Sequence, residues 1–189
     1  MKPQTTTTPH VIIMVGIPGA GKSTFAEHFA NTFQAPIIDR EVINAIVDHN
    51  ETQSKEIVGL MLDELLKTHR TVVYVGSTHT KTSRVELAKK VTAAGYQPLL
   101  VWVQTESQEA LRRATRKRKN GNPMSQEAFD AAIKQFSPPH ATEKAIVISG
   151  KHTYATQLKI ILKHLAGQQQ VDAPEAPPRA RSVRNIILR

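Results

Sequence analysis

The sequence of 189 residues has no cysteine, few aromatic residues and no long apolar run. Without cysteine, disulfide bonds, thiolate catalysis and cysteine-ligated zinc are excluded. No stretch approaches the roughly 20 apolar residues that a membrane-spanning helix needs, and residues 1–10 lack the apolar core of a signal peptide. Aromatic residues make up 5% of the chain, which leaves few side chains for stacking on nucleic-acid bases. We therefore expect a cytoplasmic protein without membrane association.

Positive charge is concentrated in one segment of the chain. The formal net charge is +9, and residues 111–120 hold six cations and no acid, which leaves +3 for the rest of the chain. Such a cluster either binds phosphate groups or forms a solvated helix face. Composition alone leaves both interpretations open.

Short apolar runs alternate with segments that have apolar residues at helical spacing. Strands are predicted at residues 11–15, 35–38, 71–75, 98–103 and 145–149. Helices are predicted at residues 22–33, from 40 to about 47, 54–66, from 83 to about 94, 125–136 and 154–166, with a further basic helix before the break at 121–123. This alternation predicts an α/β fold, with a parallel sheet of about five strands and helices on both faces.

Polar residues mark the predicted helix starts and the domain limits. The spacing of a capping box begins at Ser83 and again at Thr105, and Ser125 is predicted to cap the helix that follows it. We expect one domain at residues 11–166, after a disordered N-terminus at 1–10. Residues 167–189 are a Pro- and Gln-rich linker and a basic tail, which is either a frayed terminus or a docking peptide for a partner.

The most specific motif follows the first predicted strand. It matches G-x-x-x-x-G-K-[ST], the phosphate-binding P-loop or Walker A motif, which cradles phosphates with backbone N–H groups and the N-terminus of the next helix. Lys22 is predicted to reach the β- and γ-phosphates, and the Ser23 hydroxyl to bind Mg²⁺. The predicted nucleotide-binding residues are Gly16, Pro18, Gly19, Ala20, Gly21, Lys22, Ser23, Thr24 and Arg112.

A P-loop protein that transfers phosphate also needs a group that activates the acceptor, cations for the transferred phosphoryl group and a cover that excludes water. Asp39 is the candidate for the first role because it ends the second predicted strand, and ligands bind at the carboxyl ends of such strands. The alternative for Asp39 is a helix cap. Arg40 is predicted to hold an anionic acceptor. The basic segment is predicted to be a helical lid, with candidate arginines Arg112, Arg113, Arg116 and Arg118.

Together these residues resemble the AAA-type P-loop kinase family that contains the kinase domain of phage-type polynucleotide kinase. The resemblance covers roughly residues 11–140. Its pieces are the P-loop, Asp39-Arg40, Thr78-His79, Arg84 and Leu87, Ala94-Gly95-Tyr96, Leu111-Arg112-Arg113 and the segment from Phe136 to Pro139.

The resemblance implies a three-layer P-loop NTPase fold and transfer of the ATP γ-phosphate to a hydroxyl, in many members that of an RNA or DNA 5′ end. It implies that Asp39 activates the acceptor and that Arg113 or Arg116 is the lid arginine. Thr78 and His79 are further substrate candidates. The family usually has an acid near the end of strand three, and residues 73–79 contain none.

Three functions therefore remain open from the sequence. The first is a kinase of nucleic-acid 5′-hydroxyls, which the basic lid and tail favour. The second is a kinase of a small molecule such as a nucleoside, a nucleotide sugar or an antibiotic. The third is an ATP-binding adapter with little catalysis and a partner that docks on the tail.

Overall fold

The computed structural model describes residues 8–116 and 123–171, with side chains up to residue 166. The strands are β1 (His10–Val15), β2 (Ile37–Asp39), β3 (Val72–Val75), β4 (Gln97–Gln104) and β5 (Ile146–Ser149). The helices are α1 (Lys22–Phe33), α2 (Arg40–Ile46), α3 (Glu51–Leu66), α4 (Lys81–Ala93), α5 (Ser107–Ala114), α6 (Gln126–Gln135) and α7 (Tyr154–Val171).

The strands form one parallel sheet with the order β2-β3-β1-β4-β5. The chain fills one side of β1 with β2 and β3, and then crosses to the other side for β4 and β5. Ligands bind at the carboxyl ends of the strands where the order of such a sheet reverses, and the loop after β1 lies at this point. The predicted α/β fold of the P-loop NTPase type is confirmed.

β1 is the central strand, and all six of its residues are buried. Its side chains alternate between two cores because successive residues of a strand point to opposite faces. Ile12 and Met14 pack in the core that includes residues of α1 and α7. Val11 and Ile13 pack in the core that includes residues of α2, α3 and α4. Residues 11–15 of this strand are therefore apolar on both faces of the sheet.

Two predicted helix starts differ from the structure. α3 begins at Glu51 instead of residue 54, because the Asn50 side chain accepts a hydrogen bond from the Gln53 N–H at 3.1 Å. α4 begins before Ser83, because Thr80 Oγ1 accepts from the Ser83 N–H at 3.2 Å. The capping box predicted at Ser83 is therefore wrong by one turn of helix.

The capping box predicted at Thr105 is also wrong, whereas the cap predicted at Ser125 is confirmed. The Thr105 hydroxyl donates to the carbonyl oxygen of Ala20 at 3.0 Å, and α5 begins without a side-chain cap. Ser125 Oγ accepts from the Ala128 N–H at 3.2 Å. The Thr105 hydroxyl is bonded to a residue that is distant in the sequence, and local spacing does not predict such a contact.

The two ends of the chain are only partly covered. α7 continues to Val171, past its predicted end at residue 166. Of the disordered N-terminus predicted at residues 1–10, residues 1–7 fall outside the described residues and His10 belongs to β1. Of the linker and tail predicted at residues 167–189, residues 172–189 fall outside the described residues. In the part that is described, none of the helices combines the length and apolar character needed to span a bilayer.

Substitution of two glycines by alanine should change the free energy of unfolding in opposite directions. A Cβ atom at Gly150 would overlap Thr105 Oγ1 and the Ala20 carbonyl oxygen, whereas one at Gly59 in α3 would meet nothing within 4 Å. We expect Gly150→Ala to lower the free energy of unfolding by roughly 1–3 kcal/mol. Gly59→Ala should raise it by about 0.5–1 kcal/mol, because alanine favours a helix interior. Urea denaturation of both variants measures the difference, and equal shifts of the same sign would contradict this packing.

Candidate active site

The loop between β1 and α1 has the form of a phosphate cradle. Gly19 has a φ of +74°, a left-handed conformation that favours glycine. Lys22 Nζ donates hydrogen bonds to the carbonyl oxygens of Gly16 and Ile17, each at 2.9 Å. The lysine is therefore folded over its own loop. Ser23 is half-buried and Thr24 is exposed in the first turn of α1.

Helix α5 lies directly against this loop. A Cβ atom at Gly19 would overlap the carbonyl oxygen of Ala110 in α5. On the other side of the loop, Ala20 O accepts the hydrogen bond from Thr105, and Gly150 after β5 leaves no room for a side chain beside it. Three separate segments of the chain thus meet backbone to backbone around the predicted phosphate site.

The predicted lid arginines have different surroundings. Arg112 and Arg113 both pair with Glu109, at 2.8 Å and 2.7 Å. These two guanidinium groups lower the pKa of Glu109 to about 2. Arg113 also donates to the carbonyl oxygen of Gly150 at 3.0 Å, which directs it toward the P-loop side, whereas Arg112 is more exposed. Arg116 is exposed. Arg118 and the break predicted at residues 121–122 fall outside the described residues.

Asp39 and Arg40 lie where the sequence predicts, at the carboxyl end of β2. Asp39 Oδ1 accepts a hydrogen bond from the Glu41 N–H at 2.9 Å, so the side chain caps α2. Arg40 forms an ion pair with Glu51 at the start of α3. The structure thus shows the capping alternative for Asp39, and its role toward an acceptor stays a prediction.

The structure gives a reason for the absence of an acid after β3. A Cβ atom at Gly76 would lie 2.7 Å from the ring and hydroxyl of Tyr74, so a side chain there requires the tyrosine to move. Tyr74 is 7% exposed. Burial raises the pKa of Tyr74, while Arg40 and a backbone hydrogen bond at Ser77 act in the opposite direction.

Thr78 and His79 follow in the same loop. Thr78 is buried, and its hydroxyl donates to the carbonyl oxygen of Met14 at 2.8 Å. It therefore ties the loop to the end of β1. His79 is exposed, and its carbonyl oxygen accepts from the Ser137 N–H at 2.8 Å. Contact of either residue with a substrate stays a prediction.

Arg84 holds this loop in place, a role that the sequence did not predict. Its guanidinium group is fully buried and pairs with Glu143 through two hydrogen bonds of 2.7 and 2.8 Å. It also donates to the carbonyl oxygens of Thr78 and Ser137, at 3.1 and 2.8 Å. One cation thereby joins α4, the loop after β3 and the segment after α6. Residue types alone give no signal for a pair that is 59 positions apart.

A pocket with a volume of about 270 Å³ connects these elements. It begins at the P-loop and is bordered by α2, the loop after β3 and α6. Its lining includes Gly16, Ile17, Pro18, Lys22, Arg40, Glu41, Asn44, Glu51, Val75, Gly76, Thr78, His79, Ala132, Gln135 and Phe136. The structure brings six predicted site residues to one pocket: Gly16, Pro18, Lys22, Arg40, Thr78 and His79. The other predicted site residues, which include Ser23, Asp39 and Arg113, are not part of the lining, and Glu41, Asn44 and Glu51 were not predicted.

The described residues do not form a metal site from side chains alone. No group of three or more His, Asp or Glu side chains there could hold an ion. The half-buried Ser23 hydroxyl at the start of α1 fits Mg²⁺ as a single protein ligand, because Mg²⁺ often keeps several waters and binds substrate phosphates.

The fold and the loop define a P-loop protein with the architecture of the small P-loop kinases. Residues 11–139 match the AAA domain family, and the chain belongs to that family. Membership implies that the loop binds ATP. A comparison with curated proteins found no significant match.

Solved structures with similar folds include several kinases. A gluconokinase from Sinorhizobium meliloti 1021 has a TM-score of 0.64 and 17% identity, over 87% of this chain and 95% of that one. The APS kinase CysC of Mycobacterium tuberculosis, in complex with AMPPNP and APS, has a TM-score of 0.61 and 17% identity, over 84% and 98%. A chain of the Pnkp1/Rnl/Hen1 RNA repair complex has a TM-score of 0.59 and 19% identity, over 71% of this chain and 46% of that one.

The Arg84–Glu143 pair predicts a large effect on stability. Glu143→Gln and Arg84→Ala each leave a buried partner without its counter-charge, so we expect a loss of about 3–5 kcal/mol in the free energy of unfolding. The control is Lys90→Ala, which breaks the exposed pair with Asp63 and should change it by less than about 1 kcal/mol. Chemical denaturation checks both, and similar losses in all three variants would contradict the assignment.

The Arg84–Glu143 pair should also make the stability of the folded protein depend on pH in the acid range. Arg84 lowers the pKa of Glu143 below its ordinary value of 4.5. Its contribution to stability is therefore present above that ordinary value and is lost as the pH falls through the lower pKa of the folded protein. Compared with wild type, Glu143→Gln should show a flatter decline of stability in this acid range.

Proposed function

We propose that the protein is an ATP-dependent kinase that transfers the γ-phosphoryl group to a hydroxyl. The observation that carries this proposal is the pocket, which extends from Gly16 and Lys22 of the P-loop to polar side chains of α2 and the loop after β3. A second substrate placed there would lie beside the terminal phosphate. A nucleotide-dependent switch or motor needs no such compartment.

The donor half of the proposed site is the P-loop. Its backbone N–H groups and the N-terminus of α1 would bind the phosphates, and Lys22 would exchange the carbonyl oxygens of Gly16 and Ile17 for phosphate oxygens. Ser23 would contribute its hydroxyl to Mg²⁺, which neutralises charge on the phosphates when bound. Arg113, held beside Gly150, and Arg116 are the proposed lid cations.

The acceptor half depends on Asp39. One carboxylate oxygen caps α2, and the other remains to accept a proton. In the proposed step, the acceptor oxygen attacks the γ-phosphorus, the bond to the oxygen that bridges the β- and γ-phosphates breaks, and the acceptor proton passes to Asp39. ADP and a phosphorylated acceptor result.

The acceptor class is a separate question from the chemistry. Similar folds occur in proteins described as gluconokinase, APS kinase and part of an RNA repair complex, so the fold supports both small molecules and nucleic acids as acceptors. A kinase of nucleic-acid 5′-hydroxyls would also use the cations at residues 111–120. An adapter that binds ATP without transfer is the alternative if no acceptor is phosphorylated.

The proposed role of Asp39 as a base can be tested separately from its role as the cap of α2. Asp39→Asn keeps a good helix-capping side chain but removes the base, so we expect unchanged stability and ATP affinity. The rate of phosphoryl transfer should fall by about 10²–10⁴-fold. Transfer of label from γ-labelled ATP in an acceptor screen, with ATP affinity measured by titration calorimetry, checks both. Asp63→Asn, an exposed change in α3, is the control. Full activity of Asp39→Asn would remove Asp39 from the mechanism.

A further inference from the structure

Glu109 is the centre of a cluster of three charged side chains on helix α5. Its carboxylate accepts hydrogen bonds from Arg112 Nε and Nη2, both at 2.8 Å, and from Arg113 Nε at 2.7 Å. Because the side chains of Arg112 and Arg113 donate to it, the pKa of Glu109 is about 2, and the carboxylate is ionised at neutral pH. Two cations and one anion give this cluster a formal positive charge.

Arg113 is the member of the cluster that lies on the P-loop side. Besides its bond to the carboxylate, its Nη1 donates to the carbonyl oxygen of Gly150 at 3.0 Å, so two contacts fix the guanidinium group. Gly150 packs closely against the carbonyl oxygen of Ala20, and α5 packs equally closely against Gly19. The guanidinium group is therefore held near the backbone that we propose to bind phosphates.

The two contacts of Arg113 leave further donors for a ligand. A guanidinium group has five N–H donors, and within the described residues two of them are used, one by the carboxylate and one by the Gly150 carbonyl oxygen. The Arg113 side chain is still 33% exposed. Phosphate oxygens are suitable acceptors for the remaining donors, and such charge-assisted hydrogen bonds are strong.

Arg112 determines how much positive charge the cluster offers to an anion. A carboxylate that is paired with a single arginine cancels the charge of that arginine. Here Arg112 brings a second cation to the same carboxylate through two hydrogen bonds. Glu109 can therefore orient Arg113 while the cluster remains attractive to the phosphates of a nucleotide.

We propose that Glu109 is a positioning residue that holds Arg113 against the phosphates of bound ATP, and that Arg112 acts through Glu109 by keeping the cluster cationic. The proposal rests on the proposed role of Arg113 as a lid cation. It gives an indirect role to Arg112, which the sequence predicts to bind the nucleotide. It also adds an acid to a part of the site where only cations were predicted.

Binding of ATP with Mg²⁺ to the full chain, measured by titration calorimetry, tests this arrangement. Arg113→Ala should weaken binding by about tenfold, the equivalent of one charge-assisted hydrogen bond. Glu109→Ala should weaken it by about fivefold, because the guanidinium group is no longer held in place before the nucleotide binds. Since Glu109 acts through Arg113, the double variant should bind ATP within about twofold of Arg113→Ala.

Two further variants separate orientation from charge. Glu109→Gln keeps an oxygen that can accept from Arg113 Nε but loses the negative charge, so ATP affinity should stay within about twofold of wild type or rise. Arg112→Gln leaves the other two side chains with no net charge, and affinity should fall by about threefold. The control Glu64→Ala breaks an exposed ion pair on α3 and should leave affinity within about twofold.

The three side chains of the cluster are 24–61% exposed, so the variants should fold, which urea denaturation checks. Tighter ATP binding by Glu109→Ala would show that Glu109 neutralises Arg113 instead of orienting it, and would overturn the proposal. Losses that add in the double variant would overturn it too, since the two residues would then act independently. Full ATP affinity of Arg113→Ala would have the same consequence. All three results leave the kinase proposal standing, which fails instead if wild type phosphorylates no acceptor of a broad screen.

Discussion

The candidate site depends on the close approach of three backbone segments around the P-loop. Gly19 touches the carbonyl oxygen of Ala110 in α5, and Gly150 after β5 touches that of Ala20. Neither glycine leaves room for a Cβ atom. Because interiors are closely packed, a phosphate group bound to the loop would be connected directly to α5 and to the loop after β5. The position of Arg113, which bridges α5 and Gly150, follows from the same contact.

The loop after β3 is held by a different interaction, the buried pair of Arg84 and Glu143. The guanidinium group satisfies carbonyl oxygens of Thr78 and Ser137, which belong to two walls of the pocket region. A buried charge of this kind is stable only when it is paired and hydrogen-bonded. The P-loop end of the pocket is therefore formed largely by backbone groups, whereas the opposite end carries the side-chain charges of Arg40, Glu41 and Glu51.

The sequence predicted the sheet and the P-loop well, because both depend on local patterns. A continuous apolar run such as β1 suits only a strand buried on both faces, and the spacing from Gly16 to Ser23 fixes the loop. Local patterns do not predict contacts between residues that are far apart in the sequence. The hydroxyl of Thr105 bonds to Ala20 instead of capping α5, and Arg40 pairs with Glu51, which lies eleven positions away on the next helix. The Tyr74 ring covers the position of Gly76, so a side chain there would require the ring to move.

The central claim is that the loop after β1 binds the phosphates of ATP through Lys22. Equilibrium binding of ATP with Mg²⁺ to the full chain, compared between wild type and Lys22→Met, tests it most directly, since methionine keeps much of the apolar stem and removes the charge. The account predicts saturable binding to wild type and a loss of affinity of about tenfold or more in the variant, the equivalent of roughly one charge-assisted hydrogen bond. Equal affinity of the two proteins, or no binding to wild type, would contradict it.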